Sequence, residues 1–413
     1  MNKRLLFYLI AFSGFQVFSQ VTMTLEDCDK ALQQNNLELL SEQYNVTAAQ
    51  AAVVQARIWE HPILSADWNA YNPESDIYFD IKHQKTVAID QLIYLGGKKR
   101  NEIKRSCQQA EIASLQLEEL LFNLKFQLRR SFYSLYFDTK KNTVLESQIS
   151  RIENLLTAYE EQAAKGNIAL KEVVRLQSLL LDLKNQRFEI LEQIVEERKD
   201  LALLTGIENP IIPVVNEKLL LEQFQMQLLN VDILVEKGKE KNPEFRIALK
   251  DIEAHETAVK FQKSLAVPDV NLGVGYDQAS GAFRDEVNMR LSIPLPLWNK
   301  NKGNIKIAQA ELDQSKTQSE LRLLELKSEM QRAFDWWEEN RREASGIKPT
   351  VYENLEQVNQ GVFSNFSKRN ISLNEFTDFM ESYNSSMLHI NERYKQLILS
   401  GETLNHLTNT SIF

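Results

Sequence analysis

The chain has 413 residues, of which only 13 are glycine and 9 proline, too few to punctuate many short elements joined by ordinary loops. Its net charge of -9 argues against a nucleic-acid partner, since phosphate binding needs a basic face. The two cysteines, Cys28 and Cys107, make neither a disulfide framework nor a CxxC site.

Residues 1–20 read as an export signal. Lys3 and Arg4 open it, Leu5 to Val17 form an apolar run shorter than the roughly 20 residues that cross a bilayer, and Val17-Phe18-Ser19 ends it. The mature chain is expected to begin at Gln20 or Val21. It divides into a first repeat over 21–206, an inter-repeat segment over 207–230 and a second repeat over 231–413.

The first repeat opens with a helical pattern from about Leu25 to Trp59, with Thr24 as N-cap, Asp27 three residues on, and an end before Pro62. The period then becomes two: Leu64, Ala66, Trp68 and Ala70 alternate with Ser65, Asp67 and Asn69. A second strand is expected between Ile77 and Tyr94, where alternation is poor. From Lys98 to Lys165 there is neither Pro nor Gly, and Leu117, Leu121, Leu124, Leu128, Phe132 and Leu135 recur at three- and four-residue spacing. Such a helix spans on the order of 100 Å. It breaks at Lys165-Gly166-Asn167, and an antiparallel helix with Leu176, Leu179, Leu180 and Leu183 follows. The stretch TGIENPIIPVVNEK then interrupts the helices and is expected at the side of the assembly.

The same order returns in the second repeat. Asn36 matches Asn242, Glu38 matches Glu244, Pro62 matches Pro268 and Gly97 matches Gly303, each at an offset of 206. Val270, Leu272, Val274 and Tyr276 alternate with polar residues or glycine, as do Val287, Met289, Leu291 and Ile293. The stretch SIPLPLWNKNKGN leads into another long helical pattern, which breaks at Ser367-Lys368-Arg369-Asn370. Pro294 and Pro296 suit a strand end where no ladder donor is needed, and Gly96, Gly97 and Gly303 are the expected swivel points between strand and helix. The fold class is therefore mainly α with a transmembrane β part, in two tandem helix-strand-strand-helix-helix repeats.

Strands of 9 to 11 residues with one apolar and one polar face suit a membrane barrel, with Trp68, Tyr71, Tyr78 and Tyr276 near their ends. Four strands cannot close a lipid-exposed barrel without unsatisfied edges, so several copies must pool strands. A soluble hairpin in a periplasmic coiled-coil adaptor is the alternative that these residues leave open. No nucleophile elbow, phosphate loop or paired-acid motif points to an enzyme. His61, His83, His255, His389 and His406 are scattered, so neither metal site nor cofactor is expected.

With DQLIYLGGKKRNEI and LSIPLPLWNKNKGNIKIAQAEL at the two strand-to-helix junctions, the chain resembles the TolC-type outer-membrane efflux channels over essentially its whole mature length. Its Pro-Leu-Trp-Asn-Lys-Asn-Lys-Gly junction looks like that of the cobalt-zinc-cadmium branch, departing from it at Trp298, Lys300 and Lys302. The resemblance implies a homotrimer in which a 12-strand β-barrel in outer-membrane lipid continues as a long α-helical barrel through the periplasm. It implies passive conduction of heavy-metal cations from a resistance-nodulation-division pump through a periplasmic adaptor, or alternatively of drugs or secreted proteins. The adaptor would dock at the tip turns Lys165, Gly166, Asn167, Lys368, Arg369 and Asn370. Counting nine and twelve residues from Phe366, the family's acidic pore gate falls on Glu375 and Asp378, and the equivalent count in the first repeat reaches Glu172 and Arg175. The sequence departs from the family pattern at Phe366, which lacks a hydroxyl, and at Arg369, which replaces the turn glycine.

Overall fold

The structure is a computed structural model and describes residues 21–73, 76–225, 229–279, 283–298 and 300–413. The expected export signal lies outside the described residues.

Helix α1 (Leu25–Asn35) starts at the expected cap: the Asp27 amide donates to Thr24 Oγ1 and the Thr24 amide donates to the Asp27 carboxylate. The single helix expected up to Trp59 is broken at Asn36, which caps a new helix, α2 (Leu37–Arg57). Asn36 Oδ1 accepts from the Leu39 amide at 2.9 Å, while its Nδ2 donates to Leu204 O at 3.2 Å. An asparagine side chain can take over backbone hydrogen bonding in this way, so the helix stops without Gly or Pro.

Four strands follow the proline corners: β2 (Ile63–Asn72) and β3 (Ile77–Ile93), then β5 (Val270–Ala279) and β6 (Phe283–Ser292). They form one antiparallel sheet in the order β2-β3-β5-β6, so the two repeats meet at the β3–β5 ladder and β2 and β6 are open edges. A separate, two-stranded sheet is the parallel pair β1 (Val21–Met23) with β4 (Ile211–Pro213). On one face of the large sheet Thr86 bonds the Asp277 carboxylate, and the Asp90 carboxylate lies over Gly273, where an added Cβ would push it aside. On the other face Leu272, Val274, Val287, Met289 and Leu291 are exposed, with Met289 at 88%.

The constant offset expected between the repeats fails inside the second hairpin. Ser65 pairs with Ala88 and Asn271 with Ser292, so the offset is 206 on the first strand and 204 on the second. The left-handed caps of the following helices are also 204 apart, at Gly97 (φ 77°) and Asn301 (φ 55°). Gly303, expected as a swivel, lies within the first turn of the second long helix. Asn301 holds the unusual conformation instead, and its Nδ2 donates to Gln262 O at 2.8 Å.

Helix α3 (Lys98–Ala164) is unbroken for 67 residues, about 100 Å at 1.5 Å per residue. It packs against α4 (Leu170–Thr205), and Leu128, Phe132, Leu135, Leu145 and Ile152 meet Leu176, Leu183 and Leu201 in one continuous core. Each such side chain, fully buried, contributes roughly 2 kcal/mol. After α5 (Glu217–Gln225) and α6 (Val231–Lys241) come α7 (Pro243–Leu265) and α8 (Lys302–Gly346). The counterpart of α3 is split: α8 ends at Gly346, Ile347 and Lys348 are extended, and α9 (Pro349–Ser367) begins at a proline, whose fixed φ suits a first helical turn. The last helix, α10 (Leu373–Thr408), returns along α3, with Phe376, Met380, Leu397 and Leu404 buried. No helix among the described residues is long and apolar enough to cross a membrane.

Candidate functional site

The far ends of the two helical hairpins, α3–α4 and α9–α10, are built alike. Asn167 N donates to Gln162 O and Gly166 N to Ala163 O; Asn370 N donates to Asn365 O and Arg369 N to Phe366 O. The third residue of each turn is left-handed, Gly166 at φ 75° and Arg369 at φ 63°. Glycine adopts that conformation freely, whereas arginine does so at a cost of order 1 kcal/mol. Lys165, Lys368 and Arg369 are exposed, so both turns present cations to solvent.

Phe366 is buried. Its ring stacks on Phe376 with centroids 4.2 Å apart and faces Tyr159 of α3 at 6.0 Å. It therefore holds the second hairpin to the first by aromatic packing. Burial, together with the nearby Glu172 carboxylate, raises the Tyr159 hydroxyl above its ordinary range.

The two acids expected to face one another as a gate do different things. Glu375 accepts from Ser372 N at 2.8 Å and from Ser372 Oγ at 2.9 Å, closing a capping box at the start of α10. Those bonds hold its carboxyl below the usual range. Asp378 is instead paired across the hairpins: Arg175 Nη2 of α4 lies 2.8 Å from Asp378 Oδ1. The same guanidinium donates from Nη1 to Asn374 Oδ1 and from Nε to Thr377 Oγ1, each at 2.8 Å. One rigid fork thus grips a full turn of α10, a geometry that lysine could not reproduce. Arg175 and Asp378 are equivalent positions of the two tips, both twelve residues on from matching turn residues. Glu172, partly buried, takes no share in this grip.

Sequence reasoning placed Arg175 near the tip but missed its partners Asn374 and Thr377, and it missed Tyr159. Asn374, Thr377 and Asp378 lie three and four residues apart on one helix face, which was the available signal. A second charged cluster halfway along the hairpins also went unread. Asp138, fully buried, lies 2.7 Å from Lys141 and 2.8 Å from Lys395, and Lys141 reaches Glu392 at 2.6 Å. These alternating charges tie α3 to α10 with every member paired, as buried ions require.

At the opposite end of α3 the strand-to-helix junction is clamped rather than loose. Gly96 is left-handed, and a Cβ there would lie 2.8 Å from the Val267 side chain. Lys98 is buried, with Nζ 2.6 Å from both Asp269 Oδ1 and Val267 O. Pro294 and Pro296, beyond the end of β6, have no such clamp among the described residues.

Among the described residues no group of three or more His, Cys, Asp or Glu side chains could hold a metal ion. Long helical hairpins extend from a single four-stranded sheet.

Comparison with known proteins agrees with that description. Residues 29–207 match the profile of the family described as outer membrane efflux protein. The chain is 20% identical over 347 residues to the cobalt-zinc-cadmium resistance protein CzcC of Cupriavidus metallidurans, covering 81% of this chain and 78% of that one. Among solved structures it superposes on CusC with a TM-score of 0.74 at 14% identity, over 94% of this chain and 92% of that one. On the outer membrane protein VceC of Vibrio cholerae the TM-score is 0.71 at 15% identity, over 94% and 97%. At these identities the superpositions show a shared fold.

Proposed function

We infer that this chain, an outer-membrane efflux channel of the TolC type, is the exit duct of a tripartite pump that expels metal cations, working as a homotrimer. The observation that carries the reading is the four-stranded sheet with β2 and β6 unpaired and an exposed apolar face, set above a helical hairpin about 100 Å long. In hydrocarbon every edge donor and acceptor must be paired, so the sheet needs further copies to close. Three copies supply twelve strands, and the helices below them continue the wall of the duct.

Energy would come from a resistance-nodulation-division pump in the inner membrane, joined through a periplasmic adaptor at the exposed cationic tip turns Lys165 to Asn167 and Lys368 to Asn370. Cation cargo is supported by the name of the CzcC relative and by the PLPLWNKNKG junction, not by any ligand cluster. Within the duct, Glu375 and Asp378 would stand near the narrow end. Asp378 is paired with Arg175, so the tie between hairpins, rather than mutual repulsion of acids, would set how tightly the entrance is held.

The test is a deletion strain. Loss of the gene should sensitise cells to cobalt, zinc or cadmium while leaving drug tolerance unchanged, and the detergent-purified particle should have the mass of three chains. Sensitivity to drugs alone would overturn the cargo, and a soluble monomer would overturn the duct.

A further inference from the structure

We propose that Gln148 of α3, Asn359 of α9 and Asn384 of α10 enclose a buried water site, a wet layer within the largely apolar packing of the second hairpin on α3.

All three side chains are closed off within a single chain: Asn359 is 0% exposed, and Gln148 and Asn384 are each 2% exposed. Yet Oδ1 and Nδ2 of Asn359, Oδ1 and Nδ2 of Asn384 and Oε1 of Gln148 find no hydrogen-bond partner among the described residues. Buried amide groups left in this way are rare, because each forfeits the bonds it makes in solvent.

The registers of the three helices bring these groups to one height, to within about a turn. Helices α9 and α10 run antiparallel, with Phe366 stacked on Phe376 at 4.2 Å and Tyr383 Oη donating to Glu356 at 2.8 Å. Asn359 is one turn from Glu356, and Asn384 adjoins Tyr383. Between α3 and α10, Lys141 lies 2.6 Å from Glu392, and about two turns further toward the tip come Gln148 and Asn384. The Arg151 guanidinium, one turn on from Gln148, lies 5.7 Å from the Phe363 ring centroid, which sets α9 beside α3 at this level.

The occupant follows from the groups themselves. A metal cation would use only the amide oxygens and an anion only the NH2 groups, leaving the other half orphaned, whereas water both donates and accepts. The five unpartnered atoms, at about three bonds per buried water, call for about two waters. Apolar side chains close the site on both sides, Phe366 and Phe376 toward the tip and Leu145 and Met387 away from it. A slip of α9 by one turn would carry Asn359 into those apolar layers. The wet layer thus fixes the register of α9, which starts afresh at Pro349.

The first test is a density map of the full chain in detergent, sharp enough to show ordered waters. Peaks bridging the amides of 148, 359 and 384 at hydrogen-bond distance are expected. Amides bonded directly to one another, no density between them, or a single peak touched by oxygens alone would each overturn the proposal. The second test reads the thermal midpoint of the same particle. Asn359→Leu and Asn384→Leu should each lower it, because each strands the waters and the amides that remain, and the double variant should lower it by less than the two singles together. Shifts that simply add would overturn the shared site. Neither readout depends on how many chains the particle holds.

Discussion

Arg369 and Gly166 hold the same left-handed turn position in the two hairpins, but only one of them is comfortable there. Arg369→Gly should therefore stabilise its turn by about 1 kcal/mol, seen as slower amide exchange at Phe366 to Asn370. Arg175 carries more. Arg175→Met removes three bonds to α10 at once, whereas Asp378→Asn loses the ion pair and keeps the bonds to Asn374 and Thr377. In planar bilayers single-channel conductance should rise for both variants, and more for Arg175→Met; unchanged conductance would remove the tip from the gating account. His406 gives a pH signature. Its ring is sandwiched between Phe122 and Phe126 at 4.0 and 4.2 Å, near Lys125, Arg129 and Glu402, and burial pushes its imidazole down to about 4. A depressed histidine leaves the unfolded chain binding the extra proton first, so stability should fall as pH drops from about 6.5 to about 4 and change no further from this cause below that. His406→Phe should flatten that decline in denaturation midpoints measured at pH 7 and pH 5.

Single elements were readable where a physical cause sits in the local sequence. The Thr24 and Asp27 box, the proline corners and the leucine spacing of α3 and α4 all announced themselves. The break at Asn36 did not, because asparagine inside an apolar helical pattern looks like an exposed position until its side chain is seen gripping two backbones. Strand β3 alternated poorly for a visible reason: Phe79 is left-handed (φ 55°) and the β2 register shifts between Trp68 and Asn69. Matching Gly97 to Gly303 was a coincidence of composition, since Asn301 holds the left-handed cap two residues earlier. The junctions can be compared by substitution. Gly96→Ala meets both backbone strain and the Val267 side chain, whereas Gly166→Ala meets strain alone in open space. The first should lower the yield of folded outer-membrane protein severalfold, and the second should cost only about 1 kcal/mol at its turn. The site was less readable than the fold, because Arg175 acts on residues some two hundred positions away in the chain.

At the scale of the whole molecule the fold is incomplete in one copy, and that incompleteness was legible early: two pairs of strands, each with a face for lipid, cannot be closed by one chain. What the sequence could not carry is the different surroundings of the two repeats, because Leu40 and Arg246 occupy the same place in their repeats, yet Leu40 is exposed and Arg246 pairs with Glu118. Temperature and salt act on these contacts in opposite directions. Rising ionic strength screens the Arg246–Glu118 and Lys250–Glu111 pairs inside each chain, whereas sulfate strengthens apolar burial and cooling weakens it. A purified sample chilled in dilute buffer should therefore come apart into intact single chains, and warming it with ammonium sulfate should restore the ring.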